Sequence, residues 1–531
     1  MKILSQRNTQ KDDMRFFIVV LGLYFIAFIL LLLNKNALYW DDYTLYNHVP
    51  EHIMKEFCDS GLPLFGYIHI FMGSLGNGIL PYRIAVFMVY LLSGLFLYYI
   101  LCGLKRFSKN TAGIITLFFL ILPVNNARIS LIDFPYGLCL CLFFMAFWLL
   151  TKYLKKPTLY VRVFILALFF CSFWTNSLLV FYAIPLLSIC YYHLFEISHD
   201  SISVHRTTWP VYCSKSLRIL FLQYTDFVAL PLIFFILRVA YYMPHGELAG
   251  YNTIVFQKVV YNILYSIKSA ICKPLVDLII VAGSHKLSLF LVVLFVLCLN
   301  FIKIVQVPQK QIWLCLGLGF IFWILAIFPY AAVNKIPDPG SFESRHMLLT
   351  PLGLSLIIYA FFLILAKIDT DVATGMCIVF VAACVFKNGY DQAFFLKDWF
   401  YQVSLEENYR SNAFIRDNAT FVFHSDIAWA NRRTINFCEH TVRLLNVFGN
   451  QKRLMAPNEE ALTLIRQGVY KMNRSLCFFE AWKYSEPKHI YAIRTPIVFN
   501  EPRFLKMLVL MYRDDQLFRT EARKLLHVTQ G

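Results

Sequence analysis

The chain has 531 residues, of which 59% are hydrophobic, 17% aromatic and only 15% charged, against roughly a quarter charged in an average soluble domain. A mean hydropathy of +0.58 over that length excludes an ordinary soluble globular domain. The formal charge of +17 comes from Lys and Arg grouped near the ends of apolar runs rather than in a basic stripe, so the positive-inside bias of membrane proteins explains it and no nucleic-acid partner is expected.

The first apolar run, Phe16 to Leu33, is eighteen residues without a charge, close to the ~20 needed to cross a hydrocarbon core. Lys2, Arg7, Lys11 and Arg15 precede it. The run is too long for the apolar region of a signal peptide and no small-residue cleavage site follows, so it is expected to remain as a span. A mixed stretch, Asn34 to Pro81, comes next, and spans follow at about Tyr82 to Leu104, Thr111 to Val124 and Leu131 to Leu154. The clusters Lys105, Arg106, Lys109 and Lys152, Lys155, Lys156 make these ends cytoplasmic, with the N-terminus, and put the 34–81 and 125–130 loops outside.

Further spans are expected near Leu159 to Thr175, Leu178 to Tyr192 and Ile219 to Tyr242. Met243 to Lys286 is ambiguous, because Val259 to Ile280 is apolar but broken by Lys268, Lys273, Pro274 and Asp277. If this segment stays on the outer surface or re-enters, Lys303, Lys310 and Lys367 fall on the cytoplasmic side and Asn334 to His346 outside; if it spans, the charge rule is violated. The expected architecture is therefore an all-α polytopic membrane domain over residues 1–386, with about eleven transmembrane helices and external loops 34–81 and 243–286. Residues 387–531 read as a soluble extracytoplasmic α/β domain, with strands at Thr420 to Phe423 and His489 to Ile497 and a helix at Glu459 to Gln467. Most of the fourteen cysteines lie in apolar runs, where Cys acts as a small hydrophobe; Cys438 and Cys477 can pair if their domain faces an oxidising compartment.

Polar groups at the outer boundary are the functional candidates, since ionisable residues there are costly unless they serve something. Tyr39-Trp40-Asp41-Asp42-Tyr43 opens the first external loop. Two adjacent carboxylates among aromatics offer a general base, because desolvation and mutual repulsion raise their pKa values; a solvated loop start in an aromatic belt is the other reading. In the late loop, Lys335 and Glu343-Ser344-Arg345-His346 can hold a phosphate, Arg through its fork and His as a donor, or simply anchor the interface. Arg83, Arg128 and Asp133 line the same cavity or else snorkel and pair. Glu247 and Tyr251 sit in a turn-rich loop and either touch a sugar or simply form part of the turn, the commoner role of Gly-rich loops. No metal-ligand spacing is present, and a divalent metal remains open beside the carboxylate pair.

The acidic pair at the start of a long first external loop, the interfacial helix expected around Leu64 to Ile79, the late Glu343-Ser344-Arg345-His346 motif and the C-terminal α/β domain together resemble the GT-C superfamily of membrane glycosyltransferases. O-antigen glucosyltransferases and aminoarabinose- and mannosyltransferases are closest in style. The resemblance implies an inverting transferase in which Asp41 or Asp42 deprotonates an acceptor hydroxyl while Arg345, with His346 or Lys335, neutralises a departing lipid phosphate. It implies a polyprenyl-phosphate-linked sugar as donor, a glycan or lipid as acceptor, and residence in a bacterial inner membrane with the C-terminal domain periplasmic. The WWDYG motif of oligosaccharyltransferases is absent, so that subfamily's metal site is not carried over. A lipid-linked oligosaccharide polymerase, ligase or flippase, a secondary transporter, or a non-enzymatic scaffold or receptor are the other classes open to such a chain.

Overall fold

The computed structural model describes residues 2–34, 36–45, 49–76, 78–104, 107–199, 217–246, 249–250, 252–298, 302–411, 420–425, 454–456, 463, 467, 487–494 and 499–530. Its helices, in chain order, are α1 (Lys2–Leu33), α2 (Pro50–Asp59), α3 (Pro63–Ser74), α4 (Ile79–Gly103), α5 (Lys109–Ile121), α6 (Phe134–Tyr153), α7 (Leu159–Ser172), α8 (Ser177–Phe181) and α9 (Ala183–His199). They continue with α10 (Leu217–Gln223) and α11 (Thr225–Tyr241). After these come α12 (Phe256–Ile267), α13 (Lys273–Ser284), α14 (Lys286–Cys298), α15 (Gln309–Ala332), α16 (Thr350–Leu365), α17 (Thr370–Ser411), α18 (Glu501–Arg513) and α19 (Asp515–Arg523).

Among the described residues, five helices are long and apolar enough to cross a membrane, or up to seven if each of two bent pairs is one span. Four shorter apolar helices, Ile18–Leu33, Lys109–Ile121, Leu159–Ser172 and Thr350–Leu365, pack among them. This is a membrane-embedded helical protein. Apolar side chains point outward as well as inward: Leu232, Ile233, Phe235 and Ile236 on α11 are all exposed, as lipid permits when backbone groups are satisfied within each helix. Close contact between α15 and α16 depends on Gly353, where a Cβ would meet the Trp323 amide nitrogen at 2.5 Å, the small-residue packing that brings helices together in lipid.

The helices run between two ends, and hydrogen bonds identify each end. At one, Asn110 Nδ2 reaches the Lys303 carbonyl, the Ile304 amide donates to Thr374 Oγ1 and Gln306 Nε2 to the Ala366 carbonyl. At the other, the Val255 amide donates to the Ala332 carbonyl, and Asn262 Nδ2 to the Ala331 carbonyl. Lys273 also pairs with Asp338 there, and His285 packs on Phe386 and Tyr390. Residues 255–285 therefore stay at a single end throughout, and α14 then turns back at 101° toward the opposite end. The amphipathic α12 leaves Phe256, Val260, Tyr261 and Leu264 exposed along this end.

The boundary expected at 386/387 falls inside one helix, because α17 continues unbroken to Ser411. Its second half buries Leu396, Phe400, Tyr401 and Leu405 against Met507, Met511, Phe518 and Ala522 of α18 and α19. Beyond it, β1 (Thr420–Ser425), β2 (Leu454–Ala456), β3 (Pro487–Arg494) and β4 (His527–Gln530) form a sheet in the order β2-β1-β3-β4. β1 is parallel to β2 and β3, and β4 closes the edge antiparallel to β3. Cys438, Cys477 and most of the helix expected at 459–467 lie outside the described residues.

Candidate functional site

The end that carries residues 255–285 also gathers the 34–45, 122–134 and 333–349 loops. Arg83, in the first turns of α4 and fully buried, ties these segments together. Its Nε donates to the Asn34 carbonyl at 2.9 Å, Nη2 to the Ala37 carbonyl at 2.8 Å and Nη1 to the Ile129 carbonyl. Each nitrogen of its fork donates to a loop carbonyl, so Arg83 clamps these loops together. The 122–134 loop is joined to the late loop in turn: the Ala127 amide donates to Ser344 Oγ at 2.8 Å.

The two adjacent carboxylates expected to act alike are divided by the fold. Asp42 is completely buried. Its Oδ1 accepts from Ser130 Oγ at 2.6 Å, the Leu131 amide at 2.6 Å and the Ile132 amide at 3.1 Å, and its Oδ2 from the Tyr39 amide at 3.0 Å. Burial pushes this carboxyl up to about 6, outweighing Arg83 and the hydrogen bonds, which act the other way. Asp41 instead presents a half-exposed carboxylate, with Oδ2 3.7 Å from Arg345 Nη1. Burial raises its pKa, the Arg345 charge opposes that rise, and Glu343 adds to it. Trp40, just before, holds a left-handed backbone at φ 50°, which costs a non-glycine residue of order 1 kcal/mol or more. Its ring is fixed by stacking on Phe342 at 5.2 Å and an edge contact with Phe395.

Arg345 is the hub. Its guanidinium lies over the Phe342 ring at 3.9 Å, with Nη2 3.6 Å from Glu343 Oε1. Glu343 Oε2 is 2.9 Å from His346 Nδ1, and the buried His346 ring rests on Tyr330. The bond to His346 holds the Glu343 carboxyl below its usual range, while burial lowers the His346 pKa against the pull of Glu343. Lys335 donates to Asn252 Oδ1 at 2.8 Å, and burial together with Arg345 brings its pKa down to about 8. The two Arg345 ion pairs, at 3.7 and 3.6 Å, are longer than direct charge-assisted hydrogen bonds of about 2.8 Å.

Asp133 caps α6 in the same neighbourhood. It is buried, its Oδ2 lacks a hydrogen-bond partner among the described residues, and burial raises its pKa well above the usual carboxylate value against the pull of Arg345. Arg128 turns away from the cluster: its guanidinium sits over the rings of Phe28 and Tyr90 at 4.4 and 4.9 Å, with Nε on the Asn125 carbonyl. The structure thus joins Asp41, Glu343, Arg345, His346, Lys335 and Asp133, and gives Asp42, Arg83 and Arg128 supporting places. Glu247 and Tyr251 lie outside the described residues.

Sequence reading missed the Lys387–Asp391 ion pair, buried at the same end and holding Asn126 Nδ2, which also reaches the Pro339 carbonyl. Two ionisable groups of opposite charge four residues apart, just past the apolar first half of α17, were the available signal. Among the described residues no group of three or more His, Cys, Asp or Glu is arranged to hold a metal ion. No protein-family model matches the chain, and no curated protein matches its sequence.

Proposed function

We propose that this protein is a membrane glycosyltransferase that moves a sugar from a polyprenyl-phosphate donor to a glycan or lipid acceptor on the external face. One observation carries the reading. Asp41 and Arg345, about three hundred residues apart in sequence, meet at 3.7 Å in a cluster of mixed charge at one end of an apolar helical bundle. Asp41 is the base: it takes the acceptor proton while the acceptor oxygen attacks the anomeric carbon, and the bond to the lipid phosphate breaks on the opposite face with inversion. Arg345, released from Asp41 and Glu343, receives the leaving phosphate, and Lys335 adds charge below pH 8. Asp42 positions the loop and makes no contact with substrate. Asp133, whose carboxyl burial holds well above the usual carboxylate range, offers a hydrogen bond to a sugar hydroxyl.

The same reading assigns eleven crossings. Residues 255–285 remain on the external side, which keeps Lys303, Lys310 and Lys367 cytoplasmic as the charge bias requires. The 387–531 region is then external, in a bacterial inner membrane. The test is transfer from a polyprenyl-phosphate sugar by the reconstituted protein, comparing Asp41→Asn, Asp42→Asn and Arg345→Ala. Loss in Asp41→Asn, with protein still in the membrane, is expected; full transfer in that variant would sink the assignment.

A further inference from the structure

The flank of the bundle where α7 and α11 meet holds a cavity of about 330 Å³ lined by Phe170, Trp174, Phe234, Leu237, Arg238, Tyr241 and Tyr242. Its aromatic wall is ordered by edge contacts: Phe170 on Phe234 at 5.3 Å, Trp174 on Phe234 at 5.8 Å and Trp174 on Tyr242 at 5.1 Å. Arg238, in the last turn of α11, is 8% exposed and has no carboxylate paired with it among the described residues. A guanidinium carries five N–H donors, and among the described residues one hydrogen bond is seen, from Nη1 to the Gly61 carbonyl.

The loop that supplies this carbonyl is built for close approach. Gly61 has φ +70°, and a Cβ there would lie 2.2 Å from the Tyr242 carbonyl oxygen. The neighbouring His245 amide donates to the Asp59 carbonyl at 2.9 Å, and the His245 ring pairs with the Asp59 carboxylate at 3.1 Å. The guanidinium is therefore held fixed at the end of a helix whose Leu232, Ile233, Phe235 and Ile236 face outward. Tyr136, three residues past Asp133 on α6, lies within electrostatic range of Arg238, so this cavity adjoins the candidate site without sharing its residues.

We infer that this cavity binds a bilayer phospholipid, with the phosphate on Arg238, the first methylenes among Phe170, Trp174 and Phe234, and the tail along the outward face of α11. Charge complementarity selects the occupant. A buried cation with no paired anion among the described residues calls for a negative partner, and its place at the end of a lipid-facing helix is the depth of a head group. The inference rests on the membrane embedding and not on sugar transfer.

The experiment is thermal unfolding of the full chain in a non-ionic detergent, titrated separately with dioleoylphosphatidylglycerol, with dioleoylglycerol, which lacks the phosphate, and with farnesyl phosphate. Dioleoylphosphatidylglycerol is expected to raise the unfolding temperature and dioleoylglycerol to leave it unchanged. The apparent affinity for the phospholipid should fall about tenfold or more in Arg238→Gln, be retained in Arg238→Lys to a larger degree, and be unaltered in Arg345→Ala. If Arg238→Gln does not fold, Trp174→Ala serves instead, with the same loss of affinity expected. Equal protection by dioleoylglycerol, an unchanged response in the Arg238→Gln or Trp174→Ala variant, or protection by farnesyl phosphate alone would each overturn the proposal. Loss of sugar transfer in Arg345→Ala alongside intact phospholipid binding would separate this site from the catalytic one.

Discussion

Substituting Asp42 tests the division of labour between the adjacent carboxylates. Asp42→Ala strips an acceptor from four donors, Ser130 Oγ and the amides of Leu131, Ile132 and Tyr39. At ~1 kcal/mol for each donor, the cost is about 4 kcal/mol. That cost depends on pH with a definite sign. Because burial lifts the Asp42 carboxyl from 3.8 to about 6, the folded chain keeps this proton where the unfolded chain has lost it. Stability contributed by the protonated form is complete below the unfolded value near 4 and falls as pH rises to about 6, by roughly 3 kcal/mol. The variant lacks the group, so its deficit relative to wild type should be largest, about 4 kcal/mol, in acid and shrink toward about 1 kcal/mol at neutrality. Asp41→Ala removes a half-exposed carboxylate 3.7 Å from its cation, and such pairs contribute under ~1 kcal/mol. Chemical unfolding of the detergent-solubilised protein, followed by tryptophan fluorescence at pH 4 and pH 7, reads all three proteins. An Asp42→Ala deficit that is absent, or that grows with pH, would refute the buried-anchor assignment.

Four other outcomes are expected. Arg345→Ala should lower kcat/KM for the lipid-phosphate donor by about 10- to 100-fold, the worth of one charge-assisted contact, in steady-state transfer assays. Lys335→Met should reduce transfer below pH 8 and leave it nearly unchanged well above, because the lysine it replaces is already neutral there; a pH–rate profile checks this. Asp391→Ala strands the buried Lys387 ammonium and frees Asn126, with an expected cost of about 3–5 kcal/mol in the same unfolding assay. Gly353→Val drives a side chain into the Trp323 backbone, so α15 and α16 must separate; a marked fall in unfolding temperature with no change in donor selectivity is the predicted signature.

The membrane character of this chain was fully legible in its sequence, because long apolar runs with charges only at their ends have no other stable solution for their backbone groups. Helix positions followed closely, as at Ile79–Gly103 against the expected 82–104. The candidate loops were legible too, since Asp41 and Arg345 stand out as ionisable groups beside apolar runs.

What the sequence left open was which of two like residues does what. Asp41 and Asp42 are chemically identical neighbours, and a short 3-10 turn at Trp40–Thr44 aims one at Arg345 and the other at the buried amides of the 130–132 loop. Arg83 and Arg345 are the same side chain, yet one finds three backbone carbonyls within reach and the other two loosely held carboxylates. The path of residues 255–285 was likewise undecided by hydropathy, because an amphipathic helix lying along an interface and a weak span have similar composition. In the structure, contacts with Ala332, Asp338 and Phe386 gather Val255, Lys273 and His285 at one end of the bundle. Local composition fixes where a chain meets lipid, whereas burial and hydrogen-bond partners depend on segments hundreds of residues away, and those only the tertiary structure brings together.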